Sequence, residues 1–155
     1  MFKTLIWATD GSETANRALP YVKSLAAPGA ELYAVHVREV FVGRGAGYPV
    51  YADEPELQER IAEQVEELRI EGFDAHLRVL TTTSGHAALQ IADVARDVDA
   101  ELILVGTRGY GRVAGLLLGS TTQGLLHAGV CPVLAVPPCS PERVEEPEPE
   151  VVATS

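Results

Sequence analysis

Two hydrophobic periods alternate along this chain. Residues 3–9, KTLIWAT, form a compact apolar run of strand length. Behind Ser12, a residue type suited to capping a helix start, Ala15, Ala18, Leu19, Val22, Leu25 and Ala26 recur at helical spacing. Pro20 falls inside that pattern and is expected to disturb one turn, because it has no N–H to donate. Further strand-like runs are ELYAVHVR at 31–38, AHLRVLTTT at 75–83, AELILVG at 100–106 and CPVLAVP at 131–137. Between them, PELQERIAEQVEELRIEG sets Leu57, Ile61, Val65 and Leu68 on one helical face, its Glu and Arg residues reading as a solvated surface. SGHAALQIADVARDV, with Ser84 as its expected cap, and STTQGLLHAG complete the helices. Five strands linked by four helices imply an α/β fold: a five-stranded parallel open sheet with helices on both faces, Rossmann-like in plan.

Two segments break the periodicity. From Gly43 to Glu56 the chain is rich in Gly and Pro and reads as a mobile loop, a plain linker or a lid over a ligand. Residues 139–155 are rich in Pro and Glu and are expected to form a disordered acidic tail behind a domain spanning 1–138.

Composition narrows the classes. The chain has 155 residues, enough for one domain with a real core. No apolar run reaches the ~20 residues of a membrane helix, and the N-terminal apolar run is too short for a secretory signal. Cys131 and Cys139 make neither a disulfide framework nor a zinc site, so a reducing, cytoplasmic setting is expected. Net charge is −10, of which the tail from Ser140 holds −4. Nucleic acid would need a basic stripe, so it is not an expected partner. An anionic small ligand would have to be held by local features against the overall field.

Those features lie in VGTRGYGRVAGLLLGSTTQGLLHAG, residues 105–129, with seven glycines. In open parallel sheets ligands bind beyond the carboxyl ends of the strands. Three loops gather there: ATDGS after the first strand, HVRE after the second and this glycine segment after the fourth. Gly106 and Gly109 would let the backbone approach a ribose or phosphate without a Cβ in the way. At Gly119-Ser120-Thr121 a helix would open, offering unpaired N–H groups, partial positive charge and two hydroxyls, whether or not Ser120 also caps it. No Gly-Lys-Ser/Thr follows, so this is not a P-loop, and its place after the fourth strand excludes the dinucleotide fingerprint.

The spacing Gly106-x2-Gly109-x9-Gly119-Ser120-Thr121 resembles the ATP-binding signature of the universal stress protein family, Gly-2x-Gly-9x-Gly-Ser/Thr. LIWATDGSETANRAL, LYAVHV, GHAALQIADVARDVDAELILVGTRG and CPVLAVP are similar to that family's first, second, fourth and last strands with their flanking turns and helix. The resemblance covers about residues 3–137. It implies an adenine-nucleotide pocket holding ATP, with Mg2+ or Mn2+ bridging the phosphates. Ala8, Thr9, Asp10 and Val37 would lie toward base and ribose. Gly106, Thr107, Arg108 and Gly109 would run along ribose and first phosphates, and Gly119, Ser120 and Thr121 would hold the outer phosphates. It also implies a homodimer joined through the last strand, Pro132 to Val136. Ala8 departs from the family, whose ATP-binding members often carry proline there, and Pro20 is unexpected in the first helix.

No catalytic residue stands out. A Walker lysine, an arginine finger and paired carboxylates outside solvated helices are all missing from the pattern, so a nucleotide-responsive stress or signalling protein is expected, at most a weak ATPase. Two other classes stay open: another adenine-nucleotide enzyme, or a protein-interaction module without nucleotide. His36, His76, His86 and His127 show no metal-ligand spacing and read as packing or surface residues.

Overall fold

The computed structural model describes residues 1–43, 46–49, 54–83, 85–107 and 118–138. In chain order these form β1 (Phe2–Ala8), α1 (Glu13–Asn16), α2 (Leu19–Leu25), β2 (Ala26–Gly43), β3 (Ala46–Pro49) and α3 (Glu54–Ile70). There follow β4 (Asp74–Thr83), α4 (Ala87–Asp97), β5 (Leu102–Gly106), α5 (Ser120–Ala128) and β6 (Val133–Val136). The expected five parallel strands lie in the order β4-β2-β1-β5-β6. β1 sits centrally, its chain leaving toward β2 on one side and returning to β5 on the other. That reversal places a crevice at the carboxyl ends of β1 and β5.

Strand alternation divides the core in two. Leu5 and Trp7 of β1, Leu32 and Ala34 of β2, and Leu102 and Leu104 of β5 face one side, where Val22, Val65 and Leu68 of α2 and α3 cover them. Ile6, Ala8, Val35, Ile103 and Val105 face the other, under Ile91, Val94, Ala95 and Leu125 of α4 and α5. A sheet buried on both faces reads as continuous apolar runs, which is why β1 and β5 were plain in the sequence. All four expected core positions of α3 are buried. Among the described residues no helix is long and apolar enough to cross a membrane.

Three local differences have clear causes. The first helix is two pieces, broken at Arg17 and Ala18, with Pro20 in the opening turn of the second, where a missing N–H costs nothing. Ser12 caps α1 as expected, its hydroxyl accepting from the Ala15 amide at 3.2 Å. The segment from Gly43 is not all loop. β2 runs on to Gly43 and pairs antiparallel with β3, Gly43 opposite Ala46, so a two-residue connection makes a hairpin. Glycine and proline masked that hairpin; Pro49 is tolerated because it ends a short added strand. Whether residues 44–45 and 50–53 form a lid lies outside the described residues. So do the acidic tail and the Ser84 cap; the cap position of α4 is His86.

α4 and α5 approach closely because Gly124 has no side chain. A Cβ there would stand 2.5 Å from the Ala88 Cβ, too close for two methyl groups. Gly124→Ala is therefore expected to lower stability by about 1–3 kcal/mol, measured by urea unfolding, through overpacking of the helix pair.

Candidate functional site

A cleft opens where β1, β2 and β5 end. Its lining comes from all three loops singled out by the sequence. Ala8, Thr9 and Asp10 come from β1 and the turn after it, Val35 to Val37 and Glu39 from β2, Val105 and Gly106 from β5. Gly119, Ser120, Thr121 and Thr122 supply the far wall at the start of α5, and Ala87 and Ile91 come from α4.

The turn after β1 is built by its own sequence. Gly11 holds φ +77°, which favours glycine, and a Cβ on it would stand 2.9 Å from Leu57 Cδ2 and push that side chain aside. The Asp10 carboxylate accepts from the Ser12 amide at 2.9 Å and the Thr9 hydroxyl from the Gly11 amide at 3.1 Å. Buried Trp7 donates its indole N–H to the Ala15 carbonyl at 2.9 Å, fastening α1 over the strand end.

Gly106 has a different reason from the one its motif suggested. The space a Cβ would fill is occupied by α1: the Ala15 nitrogen and Thr14 lie 3.0 Å away. Its missing side chain lets α1 dock, although the residue also lines the cleft. Thr107 is buried and is not among the lining residues. Its amide donates to Val136, and its carbonyl accepts from the Gly119 amide at 2.6 Å, which positions the start of α5. Arg108 and Gly109 lie outside the described residues.

At the α5 start the cap position is Gly119, not Ser120, and no side chain caps the helix. Among the described residues, the first-turn amides of α5 have no capping side chain. Thr122 donates its hydroxyl to the Gly106 carbonyl at 3.0 Å, tying the helix to β5. Among the described residues lining the cleft there is no lysine or arginine, and Asp10, Glu39 and Glu54 supply its carboxyl groups. No group of three or more His, Cys, Asp or Glu that could hold a metal ion occurs among the described residues. Burial pushes the Cys131 thiol up, and burial followed by the charge of Glu31 pushes the Tyr33 phenol up, but neither lines the cleft.

Two polar residues here were not expected as a unit. His36 and Glu54 are both buried. The imidazole Nδ1 lies 3.0 Å from the Thr9 carbonyl and Nε2 lies 2.5 Å from Glu54 Oε1. The Gln58 amide donates to the same Oε1 at 3.0 Å. A pair 18 residues apart answers to no local spacing rule. The available signal was parity: Leu32, Ala34 and His36 share a face, and a polar ring there continues an apolar stripe.

Comparison with known proteins agrees with this architecture. The Universal stress protein family matches residues 1–137. A universal stress protein of Thermus aquaticus, named for its position in the QAH/OAS sulfhydrylase 3' region, is 37% identical over 145 residues, covering 88% of this chain and 99% of its own length. The solved structure of hypothetical protein MJ0577 from Methanocaldococcus jannaschii superimposes with TM-score 0.69 at 25% identity, over 91% of this chain and 99% of that one. An Arabidopsis thaliana universal stress protein family member, solved with AMP bound, has TM-score 0.60 at 16% identity, over 94% and 98% of the two chains. With the family match spanning nearly the whole described fold, this chain belongs to the universal stress protein family.

Proposed function

We propose that this chain binds an adenine nucleotide, ATP with Mg2+ or Mn2+, and acts as a nucleotide-responsive stress or signalling protein. One observation carries the reading: a single cleft joins the Asp10 and Val37 end to the uncapped start of α5 across the sheet's reversal point. Unpaired amides and the helix dipole suit phosphate oxygens. The Ser120 and Thr121 hydroxyls add donors, while that of Thr122 is already committed to Gly106. At the other end the Asp10 and Glu39 carboxylates suit donor groups such as ribose hydroxyls and would repel phosphate, which sets the ligand's direction. A divalent ion would be held by the phosphates and nearby hydroxyls, since no acidic cage is present among the described residues. The AMP-bound Arabidopsis relative has the same fold and supports this ligand class.

Turnover is at most weak in this reading, because the described lining residues include no lysine or arginine to stabilise a transferring phosphoryl group. Denaturing the freshly purified chain and chromatographing the supernatant tests this directly. Intact ATP is expected; AMP or continuing release of product would favour an enzyme, and no nucleotide an interaction module. β6 ends the sheet and leaves one edge of Val133–Val136 for a second copy, so we also expect a homodimer. A monomer by light scattering at micromolar concentration would contradict it.

A further inference from the structure

We infer that His36 and Glu54 act as a positioning pair for the ligand, locking the start of α3 to the backbone of the cleft's base end. The inference rests on the nucleotide reading above. Leu5 and Trp7 of β1 and Leu32 and Ala34 of β2 face the α3 side of the sheet; Thr9, just past β1, and His36 of β2 continue the same alternation. Thr9 and His36 are the last members of their stripes, beside Asp10 and Val37 in the cleft wall. The carbonyl of Thr9 can only accept, so Nδ1 of His36 carries a proton and donates to it at 3.0 Å. On the other side of the ring, Nε2 lies 2.5 Å from Glu54 Oε1. Oε1 also accepts from the Gln58 amide at 3.0 Å. The ring thus bridges the β1 tip and α3 through its two nitrogens.

Burying such a pair is a poor route to stability, since two apolar residues of similar size would do as well or better. It does fix geometry. The ring sets the Thr9 carbonyl, and with it the direction in which the Asp10 turn leaves β1. Glu54 opens α3 and immediately precedes Pro55, so the same bond fixes where that helix begins. Asp10 and Val37 are the residues expected to meet base and ribose; Asp10 follows Thr9, one end of this hydrogen-bonded chain, and Val37 follows His36, its middle member.

The test uses the full chain with ATP and with AMP. Wild type, Glu54→Gln and Glu54→Ala are titrated calorimetrically, and the His36 ring N–H signals are followed by 15N NMR. The carboxamide still offers a partner to Nε2, so Glu54→Gln should bind within about threefold of wild type, and Glu54→Ala about tenfold more weakly. In wild type the His36 ring signals should shift when nucleotide is added, and rescue of affinity by Gln but not by Ala is what a role confined to packing would not give. Equal affinity in wild type and Glu54→Ala, a Gln variant as weak as the Ala variant, or ring signals unmoved at saturation would each overturn the inference. If Glu54→Ala fails to fold, the Gln variant and the wild-type signals decide. Should wild type bind neither nucleotide, the functional reading fails and takes this inference with it. Binding by wild type that is undiminished in Glu54→Ala overturns the inference alone.

Discussion

Gly119→Val is expected to weaken ATP binding at least about a hundredfold, close to 2.7 kcal/mol, while the chain still unfolds as one cooperative unit. Gly119 sits at φ −67°, ψ 159°, extended backbone that any residue adopts, so the substitution introduces no backbone strain. Its amide keeps the bond to the Thr107 carbonyl, so α5 still starts where it does. What changes is space. Gly119 lines the cleft beside Ser120 and Thr121, and a branched side chain there would stand where the outer phosphates are placed. AMP, lacking those phosphates, should lose less affinity than ATP. Calorimetry with both ligands, alongside urea unfolding, checks the two halves; wild-type affinity for ATP would contradict the phosphate placement.

Trp7→Ala should be the most destabilising single change in the first strand, lowering stability by about 3–5 kcal/mol. The indole is 2% exposed and packs on the α2 and α3 side of the sheet. Its N–H also holds the Ala15 carbonyl, so truncation removes core volume and leaves a buried acceptor unpaired. Trp7→Phe separates the two losses: much of the volume remains, the hydrogen bond does not, and about 1–2 kcal/mol should be lost. The effect reaches the site because Thr14 and Ala15 fill the space beside Gly106 and Ala15 lines the cleft. Far-UV circular dichroism during urea unfolding measures both variants; a Trp7→Ala midpoint equal to wild type would contradict this account of the core.

What the sequence made legible followed from periodicity and from the sheet's plan. Leu57, Ile61, Val65 and Leu68 were readable because a helix packed on a sheet shows its apolar stripe at fixed spacing. The cleft was readable because the strand order reverses between β1 and β5, whose carboxyl ends carry the Asp10 turn and the glycine segment. Three things were not legible. The β2–β3 hairpin was hidden because Gly43, Gly47 and Pro49, which lie in its paired strands, are residue types that mark a loop. Gly106 lines the cleft, as its motif suggested, but that its missing side chain also makes room for α1 requires knowing how Thr14 and Ala15 dock. His36 and Glu54 looked unrelated, one on a strand and one in the segment read as a loop, until the fold brought Nε2 and Oε1 together.

The central claim is that the open start of α5 grips the ligand's phosphates. Amide NMR shifts of Gly119, Ser120, Thr121 and Thr122, recorded while adding adenosine, AMP and ATP to the full chain, test it most directly. The account predicts shifts at Ser120 and Thr121 that are largest with ATP, smaller with AMP and near zero with adenosine. Equal shifts with all three, or none at these amides when ATP binding is complete, would contradict it.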